Sequence, residues 1–143
     1  MNVSLNQEAS VRSYTPADYP QVRKCMVDGK LFYEPMDSEE KLARAIAMSP
    51  GCILVADLNG LVVGSAIVQD LYGPLLFRLA VSPEQRGKGI GKKLNDAAKE
   101  RAKAQGFTQA HILVAEEESE LQELYKSWGW EEGSLYRWMY TNL

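Results

Sequence analysis

Residues 79 to 94, LAVSPEQRGKGIGKKL, set three glycines and four cationic side chains between an apolar run and a helical pattern. Glycine lets backbone N–H groups converge, and the first turn of a helix adds about half a positive charge. The chemistry open to such a stretch is the seating of a phosphate. Two common phosphate motifs do not fit it. A P-loop needs a glycine six residues before its lysine, but Gly87 stands five before Lys92, and Lys93 replaces the magnesium-binding hydroxyl. A dinucleotide fingerprint counted from Gly87 and Gly89 meets Lys92 where its third glycine belongs. What remains is Arg86-Gly87-Lys88-Gly89-Ile90-Gly91, directly after a β-rich run and opening a long helix.

Charge narrows the ligand. The 143-residue chain carries a net −3, yet residues 86 to 103 hold seven Lys or Arg against two acids, a local +5 that leaves −8 elsewhere. Nucleic-acid binding by counterion release needs a broad basic face, so nucleic acid is excluded and a small polyanion favoured. A hydrophobic fraction of 45% with 24% charged residues belongs to an ordinary globular domain, expected to be single over 1-143. No leader or membrane span is read from the sequence, which predicts a cytoplasmic protein without membrane partners. Cys25 and Cys52 lack metal-ligand spacing and read as buried small hydrophobes, and no metal is expected.

The elements that must position the glycine turn follow from periodicity. ASVRSYT alternates like an edge strand, and Thr15 with Pro16 starts a helix through TPADYPQVRKCMVDG. MDSEEKLARAIAMSPG predicts a second helix capped by Asp37 or Ser38, with Leu42, Ile46 and Met48 on one side. CILVADLNGLVVGSAIVQDLYGPLLFRLAV gives three antiparallel strands joined by the turn sequences DLNG and DLYGP. Ile90, Leu94, Ala97, Ala98 and Ala102 then mark an amphipathic helix ended by Gly106. QAHILVA reads as a short buried strand containing His111, ESELQELYKSWGW as a helix stopped by Gly129, and SLYRWMYTNL as β-prone. The order is βααβββαβαβ(β), a mixed sheet flanked by helices.

LAVSPEQRGKGIGKKL, with LYKSWGW some thirty residues downstream, resembles the GNAT superfamily of acyl-CoA-dependent N-acyltransferases. The resemblance covers the order of elements from about residue 10 onward, with the diagnostic residues confined to 79 to 130. It implies an α/β fold with a central mixed sheet of six to seven strands and about four flanking helices. It implies acetyl-CoA as co-substrate and acetyl transfer to a primary amine of a small molecule or protein, by direct attack through a ternary complex. A non-catalytic CoA-binding sensor of the same fold is the alternative, and a homodimer is allowed.

The resemblance also assigns roles. The strand before the glycine turn splays from its neighbour, and there the pantetheine arm lies like an added strand. Leu79 N–H would polarise the thioester carbonyl, Val81 would pair with pantetheine, and Ala80 lies between them. Residues Gly87, Lys88, Gly89, Ile90 and Gly91 would close on the pyrophosphate, while Arg86, Lys88, Lys92 and Lys93 could meet the outer phosphates. Tyr125 would protonate the departing thiolate, a phenol being slightly less acidic than a thiol. The base that takes the amine's proton is not located; Asp70, Glu34 and Glu116 to Glu118 are candidates, and His111 is read as a core residue. Arg78 could bind an acceptor carboxylate, whereas the acidic EEESE cluster favours cationic acceptors. Two departures stand out. Glu118 and Leu121 replace the Asn and Ala that many members carry, altering the expected hold on the arm. Only thirteen residues follow Gly129-Trp130, so the last hairpin is expected to be cut short or replaced by one strand.

Overall fold

The computed structural model describes residues 8–70 and 73–143. The opening MNVSLNQ, read above for a leader, and Leu71 and Tyr72 of the DLYGP connector lie outside the described residues. The chain divides into two compact units, Met1–Leu113 and Val114–Leu143.

The first unit runs β1 (Ser10–Ser13), a 3-10 turn (Pro16–Asp18), α1 (Tyr19–Asp28), α2 (Glu34–Asp37), α3 (Glu39–Met48), β2 (Ile53–Leu58), β3 (Leu61–Asp70) and β4 (Pro74–Val81). A second 3-10 turn (Pro83–Gln85), α4 (Ile90–Ala104) and β5 (His111–Ile112) complete it. The strands lie in chain order in one sheet, antiparallel from β1 to β4, with β5 parallel to β4. This is the expected mixed sheet, but with five strands among the described residues rather than six to seven.

Hydrophobic patterning explains the layers. Val62 to Val68 of β3 are buried without alternation, as a central strand covered on both faces requires. One face carries the core of Tyr14, Val22, Met26, Leu42, Ile53, Val55 and Ile67. On the buried stripe of α4 lie Ile90, Leu94, Ala98 and Ala102, the spacing read from the sequence. Gly64 sets how closely that helix can approach the sheet: a Cβ there would stand 2.9 Å from the Ala80 carbonyl oxygen and 3.1 Å from Leu94 Cδ1. Cys25 and Cys52 are buried free thiols, and burial pushes both above the usual thiol range.

The turn chemistry is as the sequence indicates. Asn59 and Gly60 take consecutive left-handed conformations, φ 53° and 88°, and join β2 to β3 through DLNG. Before α1, the Asp18 carboxylate accepts hydrogen bonds from the Thr15 N–H at 2.8 Å and from Arg12 Nη1 and Nη2 at 2.8 and 2.9 Å. Arg12 Nε donates to Asp57 at 2.9 Å, so one guanidinium ties β1 to the helix start and to β2. The Arg12 bonds hold the Asp18 carboxyl down at about 2, against the burial that opposes them.

Three local expectations are corrected. Met48 ends α3 at 78% exposure, because the last turn runs past the core that Leu42 and Ile46 reach. His111 is exposed and β5 is only two residues long, so QAHILVA is not a buried strand. In the second unit, α5 (Ser119–Ser127) is the only helix or strand among the described residues. Residues 129–143 form neither, and Leu135, Tyr136, Trp138, Met139 and Tyr140 are each more than 80% exposed. Their β propensity reflects a fit to a half-buried sheet, and it makes no strand without a paired neighbour. No helix among the described residues is long and apolar enough to cross a membrane.

Candidate functional site

The sheet is interrupted on both sides of β4 at nearly the same residues. Toward β3, the register shifts between Ser65 and Ile67, opposite Arg78 and Leu79. Arg78 there takes φ +55°, a conformation that costs a non-glycine L-residue about 1 kcal/mol. Toward β5, the ladder consists of Leu75 with His111 and Leu76 with Ile112 and goes no further. From Phe77 to Val81, β4 therefore has no strand partner on that side among the described residues.

Strand alternation decides which main-chain groups face the unpaired side. Ala80 lies opposite Ser65, and the Ser82 N–H donates to the Val63 carbonyl at 2.7 Å, so both turn toward β3. The groups of Val81, and of Leu79 before it, turn the other way. Arg86 Nε donates to the Val81 carbonyl at 3.1 Å, on that open edge.

The edge leads through the 3-10 turn into the glycines. Gly87 and Gly89 have φ 76° and 80°, and Gly89 is the N-cap of α4, with no side chain capping the helix. A Cβ at Gly87 or Gly89 would meet nothing within 4 Å, so their constraint is backbone conformation and not crowding. The N–H groups of the first helical turn lack intrahelical acceptors by construction, and here they share one short segment with two left-handed glycines. That arrangement fits a pyrophosphate.

The cations divide by their partners. Lys88 Nζ donates to Gln85 at 3.1 Å and Lys92 Nζ to Asp96 at 2.7 Å, both at the surface beside the turn. Lys93 instead reaches Glu8 and the Ala9 carbonyl at 3.4 and 3.1 Å, which commits it to the start of β1.

The second unit organises Tyr125 by itself. Gly129, at φ 89°, lets the Trp130 N–H return to the Tyr125 carbonyl at 3.1 Å, a left-handed helix ending. The rings of Trp128 and Trp130 then meet Tyr125 edge-on, with centroids 5.5 and 6.3 Å away. Tyr125 is buried, and burial, aided by the charge of Glu118, pushes its phenol above the ordinary range. It is protonated at neutral pH.

The candidate bases are dispersed. Asp70 lies opposite Pro74, five residues and about 16 Å along the strand from Leu79. Glu34 begins α2, where its charge acts on Tyr19. Glu116 and Glu118 are exposed in the second unit.

Sequence reasoning missed the role of Asp37. Ser38 is the residue that caps α3, accepting from the Lys41 N–H at 3.3 Å. Asp37, 1% exposed, turns inward and accepts from the Tyr33 N–H at 2.8 Å and from Arg78 Nε at 3.2 Å. The available signal was a redundant pair of caps, since one helix start needs only one.

Comparison with known proteins bears on the family and the fold. Residues 49–132 match the family model described as an acetyltransferase (GNAT) domain. An acetyltransferase of Pectobacterium atrosepticum is 30% identical over 91 residues, 63% of this chain and 64% of that relative, so the match spans under two thirds of its length. Among solved structures, Ard1 of Thermoplasma volcanium superposes with a TM-score of 0.78 at 19% identity, over 89% of this chain and 85% of that one. The PaiA N-acetyltransferase of Thermoplasma acidophilum, solved with coenzyme A, gives 0.73 at 20% identity over 83% and 87%. These structural likenesses show a shared fold.

Proposed function

Because the chain belongs to the GNAT acetyltransferase family, we propose that it moves an acetyl group from acetyl-CoA to a primary amine of a small molecule or protein, by direct attack in a ternary complex, as one domain acting in the cytoplasm. The observation that carries this reading is the continuous main-chain surface from Leu79 and Val81 on the unpaired edge of β4 to the left-handed glycines before α4.

Acetyl-CoA supplies an activated thioester. The chain's own residues bind, orient and move protons. Val81 offers an edge along which an extended arm can lie, whereas the main-chain groups of Ala80, expected beside it, turn toward β3. The N–H groups from Gly87 through Ile90 and Gly91 hold the pyrophosphate, with Arg86, Lys88 and Lys92 beside the outer phosphates. Leu79 N–H donates to the oxygen that gains charge during transfer, and such donors are typically worth about 10²–10³ in rate. Tyr125, kept protonated by its surroundings, gives its proton to the leaving sulfur. Asp70 lies far along the strand from Leu79 and does not fit direct proton removal from the amine, which leaves Glu34 and Glu116 to Glu118 as the carboxylates for that step.

Two measurements on the full chain test the reading. CoA at about 100 times its Kd should stabilise the protein by about 2.7 kcal/mol in thermal melts. Free thiol should appear from acetyl-CoA with at least one member of a panel of primary amines. Stabilisation without turnover on any amine would leave a CoA-binding sensor; no stabilisation would remove both readings.

A further inference from the structure

We infer that Arg78 is an anion-recognition residue for the acceptor, and that the acceptor is a small amine carrying a carboxylate; the inference rests on the acetyl-transfer reading above. Four observations meet at this residue. Arg78 sits in the interruption of β4 beside Leu79, and it keeps a left-handed backbone that its side chain disfavours. Its Nε lies 3.2 Å from both Asp37 carboxylate oxygens. Asp37 is itself fixed: Oδ2 accepts the Tyr33 N–H, and its carbonyl accepts the Tyr19 hydroxyl at 3.2 Å. The Arg78 side chain remains 23% exposed.

The manner of the pairing is informative. Arginine usually meets a carboxylate through two nitrogens at once. Here Asp37 takes Nε alone, and neither Nη1 nor Nη2 of Arg78 has a hydrogen bond among the described residues. A buried carboxylate thus orients the guanidinium without using up its fork. Two parallel N–H donors held in one plane match a carboxylate. A phosphate would bring a second negative charge to a segment that already holds Asp37 and Glu34, so the singly charged group is favoured. The left-handed backbone at Arg78 belongs to the bulge between β3 and β4, and bulges re-aim the side chain they carry.

The test compares α-amino acids with their carboxamides, which match in shape but lack the charge. Thiol release from acetyl-CoA gives kcat/KM for each, and calorimetric titration into the CoA-saturated protein gives binding without turnover. The native protein should prefer the carboxylate by about 10- to 100-fold in both measurements. Arg78→Lys keeps a charge for Asp37 and loses the fork, and it should bring the ratio down toward one. Asp37→Asn should lower the same ratio by releasing the guanidinium. The CoA-induced thermal shift reports that each variant is folded. Equal use of carboxylate and carboxamide by the native protein, or an unchanged ratio in Arg78→Lys, overturns the inference while leaving acetyl transfer intact. Absence of thiol release with every amine overturns the transfer reading, and this inference falls with it.

Discussion

The Arg86 guanidinium donates through Nε to the Val81 carbonyl at 3.1 Å, across a loop of four intervening residues. One side chain thereby closes the segment that links the unpaired edge of β4 to the glycine turn. The loop is closed before the first glycine is reached, so the turn rests on a formed strand-to-helix connection. The consequence is that the glycines can be altered without loss of the fold.

Gly89→Ala should show this. A Cβ at φ 80° costs about 1 kcal/mol and disfavours the left-handed backbone that orients the N–H groups of the turn. The protein should fold and lose CoA affinity by more than tenfold, about 1.4 kcal/mol, in titration calorimetry. Gly60→Ala is the control: φ is 88° and a Cβ likewise meets nothing within 4 Å, but the residue lies in the β2–β3 hairpin. It should incur the same conformational cost and bind CoA normally.

Tyr125→Phe should lower kcat by about 10² or more, the usual contribution of a positioned general acid, with the CoA-induced thermal shift kept. Its phenol is raised by burial and by the charge of Glu118, so the protonated form persists beyond the ordinary tyrosine range. The alkaline loss of kcat in the native enzyme should accordingly fall above about pH 10, the unperturbed value. A loss centred near neutrality would assign it to another group.

Asp18 links pH to stability. Its carboxyl is held at about 2, below the usual carboxylate value, first by the Arg12 hydrogen bonds. The lowered value means that the unfolded chain takes up a proton first as pH falls. Stability should therefore be full above about pH 4 and decline as pH drops toward 2, by about 2 kcal/mol in all. Urea melts of Asp18→Asn should show a loss of that size at pH 7 and a smaller further decline in acid.

The parts of the fold that a local pattern dictates could be read directly. The stripe from Ile90 to Ala102 is one side of a helix whatever surrounds it, and Asn59-Gly60 makes its turn from two residues' conformational freedom. The turn at Gly87 and Gly89 was legible for the same reason, since both take the left-handed backbone that glycine permits. What the sequence hid depends on neighbours distant in the chain. SLYRWMYTNL has the composition of a strand but has no paired neighbour in the described structure, and β propensity alone does not supply one. The conformation of Arg78 carries no mark in LLFRLAV, because it arises where β4 shifts register against β3. Asp37 looked like a cap because both acceptors of a plausible cap pair stood side by side, and only the turn of α2 decides which faces inward.

The double interruption of β4 also bears on motion. Residues 77 to 79 lie where the register breaks on one flank and the ladder has ended on the other, so fewer inter-strand bonds restrain them than restrain β3. Amide deuteration should therefore reach this stretch of β4 sooner than the interior of β3, so the break in pairing is also a place where the sheet can open locally.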